Sequence, residues 1–203
     1  MLFCVKKNLL FALSPFSFIT LSFQTSAFAD EYLIDSNHTS NRFEVPHLVI
    51  STVTGTFRDF SGSFSYDNKS EKNIRIDAKA MVASLSTENK KRDIHLKSAD
   101  FFDATKFPEI TFKSKDIKKT GDKTYDISGD FTMHGITKTV VFHSTILGTM
   151  KAFGQDHIGI KAEAKINRQD FKMNFSSVVD AIPIVGNNVA ILINMEGIKK
   201  HEK

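Results

Sequence analysis

Residues 84–112 read SLSTENKKRDIHLKSADFFDATKFPEITF. This is the one long segment without strand alternation in a sequence that otherwise alternates with period 2. The Thr87 hydroxyl is placed to accept from an unpaired backbone N–H of a first helical turn. Glu88 puts a negative charge near the positive end of the same helix. From Glu88 to Lys97 good helix formers predominate, and only Ile94 and Leu96 are apolar. The segment therefore predicts a short, highly charged helix on the surface. Phe101, Phe102 and Phe107 follow, three rings beside a connection that Pro108 ends. Ile110 and Phe112 then resume the strand pattern. A charged helix followed by a Phe-rich turn is suited to cover one end of a β-barrel.

Working outward, the flanks supply the strands. Towards the N-terminus, Phe43 and Val45 share one face, with Arg42 and Glu44 opposite. Pro46 confines that strand to an edge or an end. Gly55 to Tyr66 reads as a strand bent near Asp59 to Gly62, with Phe57, Phe64 and Tyr66 on its apolar side. Ile74, Ile76, Ala78, Ala80 and Val82 form a long alternation. Towards the C-terminus, Tyr125, Ile127, Phe131 and Met133 share a face, with Gly129 a candidate bend, and His134-Gly135 makes a tight turn. Ile158, Ile160, Ala162, Ala164 and Ile166 repeat the pattern, their small alanines leaving room inside. Asn167 to Phe171 breaks the pattern, and Val189, Ile191, Ile193 and Met195 give the last strand. About eight strands at short spacing, with no βαβ rhythm, point to an all-β antiparallel barrel or sandwich. Closing such a sheet removes its edges and leaves space for one small ligand.

The first 29 residues stand apart. Lys6 and Lys7, an apolar run from Leu9 to Phe23 and the small-x-small pattern Ala27-Phe28-Ala29 read as a secretory signal peptide. The domain is then expected to run from Asp30 to Lys203. The single cysteine, Cys4, leaves with the leader, so the core must hold without disulfides. That pattern suits a periplasmic or secreted protein. Lys+Arg number 27 against 23 Asp+Glu, and two of those lysines lie in the leader. With no dense basic stripe, helix-turn-helix or zinc-finger spacing, nothing indicates a nucleic-acid partner.

Candidate chemistry is sparse. The seven histidines show no metalloprotease-type pair, although His38 and His47 could converge if their strands pair. No metal ligand is assigned. No G-x-S-x-G elbow is present, and no catalytic residue is assigned. Arg92, Asp93 and His95 cluster on the predicted helix. Arg92 can bond backbone carbonyls, or Arg92 and His95 can meet the polar head of a ligand at a cavity mouth. Arg168 and Asp170 read first as fixing a turn. The better functional signal is the Phe content, 19 in the whole chain, six of them in the leader, with no Trp. An apolar tunnel binds a lipid tail by removing it from water and needs no catalytic group.

Several consecutive pieces resemble the YceI family of small exported proteins. They are Tyr32-Leu-Ile-Asp35 with His38; Phe43-x-Val45-x-His47; Gly55-Thr-Phe57 and Phe60-Ser-Gly62; RDIHLKSADFFD; Gly129 to Thr137; and Ile166-Asn-Arg-Gln-Asp-Phe171. Lys172 departs from the pattern, standing where the family usually has Gly. The resemblance implies an extended, lipocalin-like, eight-stranded barrel with a short helix near one end. It also implies an apolar cavity for a polyisoprenoid or a similar amphiphile such as a quinone or fatty amide. No cofactor is implied beyond such a lipid. A homodimer stays open, and a membrane enters only as the transient source of lipid. The residues expected to meet the ligand are Phe43, Val45, Phe57, Ile76, Ala78, Arg92, His95, Phe101, Phe102, Phe107, Phe112, Phe131, Ile160, Ala162, Arg168, Phe171 and Ile191. Two other readings are an enzyme acting on an isoprenoid or quinone, and an interaction module whose barrel is filled by its own side chains.

Overall fold

The alternating stretches fold as strands that pair only with antiparallel neighbours. The computed structural model describes residues 29–67, 74–179 and 182–200. Residues 1–28, on which the expectation of a cleaved leader rests, lie outside them. In chain order the elements are β1 (Asp30–Ile34), β2 (Ser40–His47), β3 (Ser51–Phe57), β4 (Phe60–Tyr66), β5 (Arg75–Met81), β6 (Leu85–Ser86) and α1 (Lys90–Lys97). There follow β7 (Glu109–Gly121), β8 (Thr124–Met133), β9 (Ile136–Ala152), β10 (Gln155–Asn167), β11 (Val178–Val179), β12 (Ile182–Pro183) and β13 (Asn188–Lys199).

The wall runs β1-β4-β5-β7-β8-β9-β10-β13 and closes where β1 pairs with β13, an eight-stranded antiparallel barrel. Beyond the closed wall, β2, β3 and β6 extend the same sheet from β13. β13 carries β2 along Ala190 to Asn194 and β1 along Gly197 to Lys199, both on one edge. β3 and β4 bend at Arg58-Asp59, and β5 and β6 bend beside them. The bend is pinned by hydrogen bonds. Asn41 Nδ2 donates to the Phe57 carbonyl at 2.8 Å, and Asn41 Oδ1 accepts from Phe57 N–H at 2.9 Å.

The inward faces follow the alternation. Tyr125, Ile127, Phe131 and Met133 are buried on β8, and Ile158, Ile160, Ala164 and Ile166 on β10. The bend expected at Gly129 lies on the opposite strand: Ser114 faces Gly129 and Asp116 faces Ser128, so Lys115 is the extra residue of a β7 bulge. Gly129 permits that close approach, since a Cβ there would lie 2.3 Å from the Lys113 carbonyl oxygen.

The central segment forms α1, with one correction. The N-cap is Asn89, whose side chain accepts from Arg92 N–H, and not Thr87. Thr87 is already engaged: its hydroxyl donates to Asp93 Oδ1 at 2.6 Å and accepts from Arg92 Nε at 2.7 Å. Asn at the helix start is also the stronger cap by its short acceptor geometry.

One turn is built against its residue types. Leu48 and Val49, which join β2 to β3, have φ of 51° and 64°. The Ile50 N–H closes the turn on the His47 carbonyl at 3.3 Å. Two consecutive positive φ values are the geometry that Asn-Gly adopts readily and a β-branched residue resists. The double change Leu48→Asn, Val49→Gly is therefore expected to stabilise the fold by about 1–2 kcal/mol. The measurement is the urea midpoint at unchanged slope; a midpoint that stays put or falls would show that the native turn carries no strain.

Candidate ligand-binding cavity

An apolar cavity of about 420 Å³ runs inside the barrel and under α1. Its size falls in the range of small-molecule sites, roughly 300–1,000 Å³. The half away from α1 is closed by buried side chains such as Ile127, Phe142, Ile160 and Met195. Towards the other end, the lining residues Pro46 and His95 are exposed, and there the cavity meets solvent.

The strands bring most of the residues singled out above to this one space. Phe43 and Val45 of β2, Phe57 of β3, and Ile76 and Ala78 of β5 line it. So do Phe112 of β7, Phe131 of β8, Ile160 and Ala162 of β10, and Ile191 of β13. Arg92 and His95 reach it from α1, Phe101 and Phe102 from the turn that follows, and Arg168 from the end of β10. Phe102 meets Phe57 edge-on, with centroids 5.7 Å apart, which fastens the Phe-rich turn to the bent β3 wall.

Phe107 and Phe171 stand elsewhere. Phe107 packs on the His134 ring at 4.6 Å, over Gly135, where a Cβ would come within 2.4 Å of the Phe107 ring. It covers the β8–β9 turn from outside the cavity. Phe171 is fully buried behind the lining, edge-on to Phe131 at 5.6 Å. It lies where β9 and β10 part, since their pairing runs only as far as His143 and Glu163.

Other lining residues escaped the sequence reading. Val189, Ile193 and Met195 share the alternating face of Ile191, and Phe142 faces Phe112 at 4.8 Å. Those had a signal in the alternation. Phe175 had none: it lies in irregular chain, yet its ring packs at 4.6 Å on Phe101 and at 5.0 Å on His95.

The polar groups deep in the lining are satisfied by the protein. Asn41 bonds the Phe57 backbone, and Ser144 donates to the Phe142 carbonyl. Arg168, 4% exposed, donates to the carbonyls of Gly186, Met173 and Val185. Burial lowers the Arg168 pKa from its ordinary value, and the three carbonyl dipoles offset that cost without a counter-charge. Nearer the mouth the balance differs. Arg92 donates from Nε to Thr87 Oγ1 and from Nη2 to the Thr87 carbonyl at 2.8 Å. Its Nη1 has no protein partner among the described residues. His95 Nε2 meets Asp100 Oδ2 at 3.0 Å.

Every described histidine has a hydrogen-bonding partner. His38 and His47 do not converge, because β1 and β2 lie end to end along β13 instead of side by side. Among the described residues, Asp35, His38 and Glu196 bring three donor atoms within 4.8 Å of one another. The hydrogen bond from His38 at 2.7 Å, then the Asn37 N–H, holds the Asp35 carboxyl below its ordinary value, and Asp35 raises His38 above its own.

The family model for the YceI-like domain matches residues 32–197. The chain belongs to this family. The YceI-like chain is 36% identical over 200 residues to Protein YceI of Salmonella agona, spanning 97% of this chain and all (100%) of that one. It is 41% identical over 148 residues to a UPF0312 protein of Pseudomonas putida, covering 71% of this chain and 77% of the relative. Among solved structures it resembles the Campylobacter jejuni YCEI protein, with a TM-score of 0.68 at 33% identity, covering 77% of this chain and 90% of the other. A polyisoprenoid binding domain from Saccharophagus degradans has the same fold, with a TM-score of 0.64 at 12% identity, covering 85% and 99% of the two chains.

Two of the pieces that carried the resemblance contribute to the cavity of the YceI-like barrel. RDIHLKSADFFD forms most of α1 and the turn with Phe101 and Phe102. Asn167 to Phe171 forms a 3₁₀ turn that presents Arg168, and Lys172 ends it in the left-handed region at φ 57°. The family's usual Gly would adopt that conformation freely; here Lys172 takes it, so the turn is kept despite the departure.

Proposed function

We propose that the protein is an exported carrier or reservoir that holds a long apolar molecule, of the polyisoprenoid or isoprenoid-quinone kind, in the barrel cavity. The observation that carries this reading is a space of about 420 Å³ lined by Phe, Ile, Val, Ala and Met whose deep polar groups are already bonded within the protein. Such a space gives nothing to a polar ligand. It removes a hydrocarbon chain from water, at about 0.8 kcal/mol per buried methylene. The tail enters first, and the polar end stays at the mouth, where Arg92 Nη1 is available. The Saccharophagus degradans domain, a polyisoprenoid binding domain by name, is built on the same barrel, which supports the ligand class without deciding it. Binding of this kind requires no nucleophile or general base. The empty space itself speaks against a barrel filled by its own side chains.

The test is native mass spectrometry of the exported protein, followed by organic extraction. The expected result is one long-chain lipid per protomer, lost on extraction and regained from added isoprenoid quinone; the same spectra report whether the protein dimerises. An empty protein that also refuses added quinone would end this reading.

A further inference from the structure

The cavity mouth has an unusual surround. Its exposed lining residue Pro46 leads directly into the Leu48–Ile50 turn, and His95 adjoins Ile94 on α1. Val49, Ile50 and Ile94 are 79%, 86% and 73% exposed. These are not scattered points. The His95 ring packs on Phe175, Ser177 of the same segment accepts from Ile184 N–H, and Ile184 accepts from Leu48 N–H. The contacts make one continuous rim from α1 to the turn. Val178 and Val179, also exposed, stand on it.

The rim is also basic. With Arg92, His95 and Leu96 facing the cavity, helical spacing puts Lys90, Lys91 and Lys97 around Ile94 on the outer face of α1. None of the three lysines has an ion pair among the described residues. Three acids of the helix and its flanks are bonded elsewhere: Asp93 to Thr87, Glu88 to Arg58 and Asp100 to His95. Exposed aliphatic side chains framed by free lysines match an interface that is apolar inside and anionic at its surface.

We propose that this rim seats on an anionic lipid bilayer, with the cavity mouth facing the membrane. The proposal deepens the reading of the cavity as a lipid site and rests on it for its purpose. A bilayer is the one occupant that satisfies the aliphatic tips, neutralises the lysines and supplies a hydrocarbon chain to the opening between them. In this arrangement the ligand moves between membrane and barrel without crossing water.

The experiment is co-sedimentation of the full exported protein with phosphatidylethanolamine–phosphatidylglycerol vesicles, against vesicles of phosphatidylcholine alone. Binding is expected to the anionic vesicles and to weaken with salt. The triple change Lys90→Glu, Lys91→Glu, Lys97→Glu is expected to weaken it about a hundredfold. The variant Leu48→Asn, Val49→Gly, expected to be the more stable protein, and Ile94→Ser should each weaken it about tenfold. Phe153→Ser, a change at the fully exposed β9–β10 turn at the far end of the barrel, should leave it unchanged. Wild-type protein that ignores anionic vesicles overturns the proposal, as does loss confined to Phe153→Ser. So does a native dimer that the rim changes dissociate without any effect of vesicles, which would assign the rim to a second copy. Extraction of bound lipid is measured separately: a lipid-filled protein that does not bind vesicles refutes only the rim, and an empty protein that binds them refutes only the cavity reading.

Discussion

Filling the cavity from its wall, by Ala162→Phe, is expected to weaken binding of a long apolar chain about two-hundredfold. Ala162 lies on β10 between Ser144 of β9 and Ile193 of β13 and contributes only a methyl group to the lining. A ring placed there occupies the volume of about four methylenes of ligand, each worth about 0.8 kcal/mol. The ring enters existing space, so the overpacking cost of about 1–3 kcal/mol that a tight core would impose is largely avoided. Titration with an apolar fluorescent probe, alongside a thermal melt, separates the two effects. Loss of affinity at nearly unchanged melting temperature is the expected outcome; unchanged affinity would show that the ligand lies outside the barrel. The opposite design, Phe102→Asp, places a carboxylate against Phe57 at a position 8% exposed and would confound lost binding with lost folding. Ala162 is the cleaner site.

Replacing Arg168 with alanine is expected to destabilise the protein by at least about 3 kcal/mol. Its guanidinium collects three carbonyls, from Met173, Val185 and Gly186, that lie on chain with little regular structure of its own. Removing it leaves buried acceptors unpaired, each costing about 1–3 kcal/mol. Arg168→Lys should not restore the loss, because one ammonium on a flexible stem does not reproduce a planar fork. Urea unfolding of the three proteins measures this. A loss below about 1 kcal/mol would mean that water satisfies those carbonyls. The same result would free Arg168 for a direct role at the ligand, which its present bonding opposes.

The barrel was legible because its strands have one dry face and one wet face. On β8, β10 and β13 every second residue faces the interior, and that periodicity is written in Tyr125 to Met133, Ile158 to Ile166 and Val189 to Met195. Most of the cavity lining followed from the same alternation, and Phe101 and Phe102 stood out by breaking it. What stayed hidden depends on three-dimensional neighbours. Phe107 looks like Phe102 in sequence, but Gly135 opens a separate seat for it. Phe175 joins the lining through ring contacts across irregular chain, which carries no period. Thr87 looks like a cap until Arg92 and Asp93 claim its hydroxyl. The continuity of β1 with β2 along one edge of β13 is likewise a fact of register that no local pattern encodes.

That shared edge has a consequence for how the molecule comes into being. Glu196 N–H meets Thr39 Oγ1 across 157 residues of chain, and both early strands wait for the final one. No fragment ending before β13 can seal the wall, whichever end of the seam is considered. A polypeptide emerging from a ribosome therefore stays open along its length until synthesis is nearly complete. Closing so long a loop makes folding slow relative to helical proteins of the same size. Barrel closure is consequently an event that belongs to the chain once β13 is present, whatever hairpins have formed among β4, β5 and β7 to β10 before it.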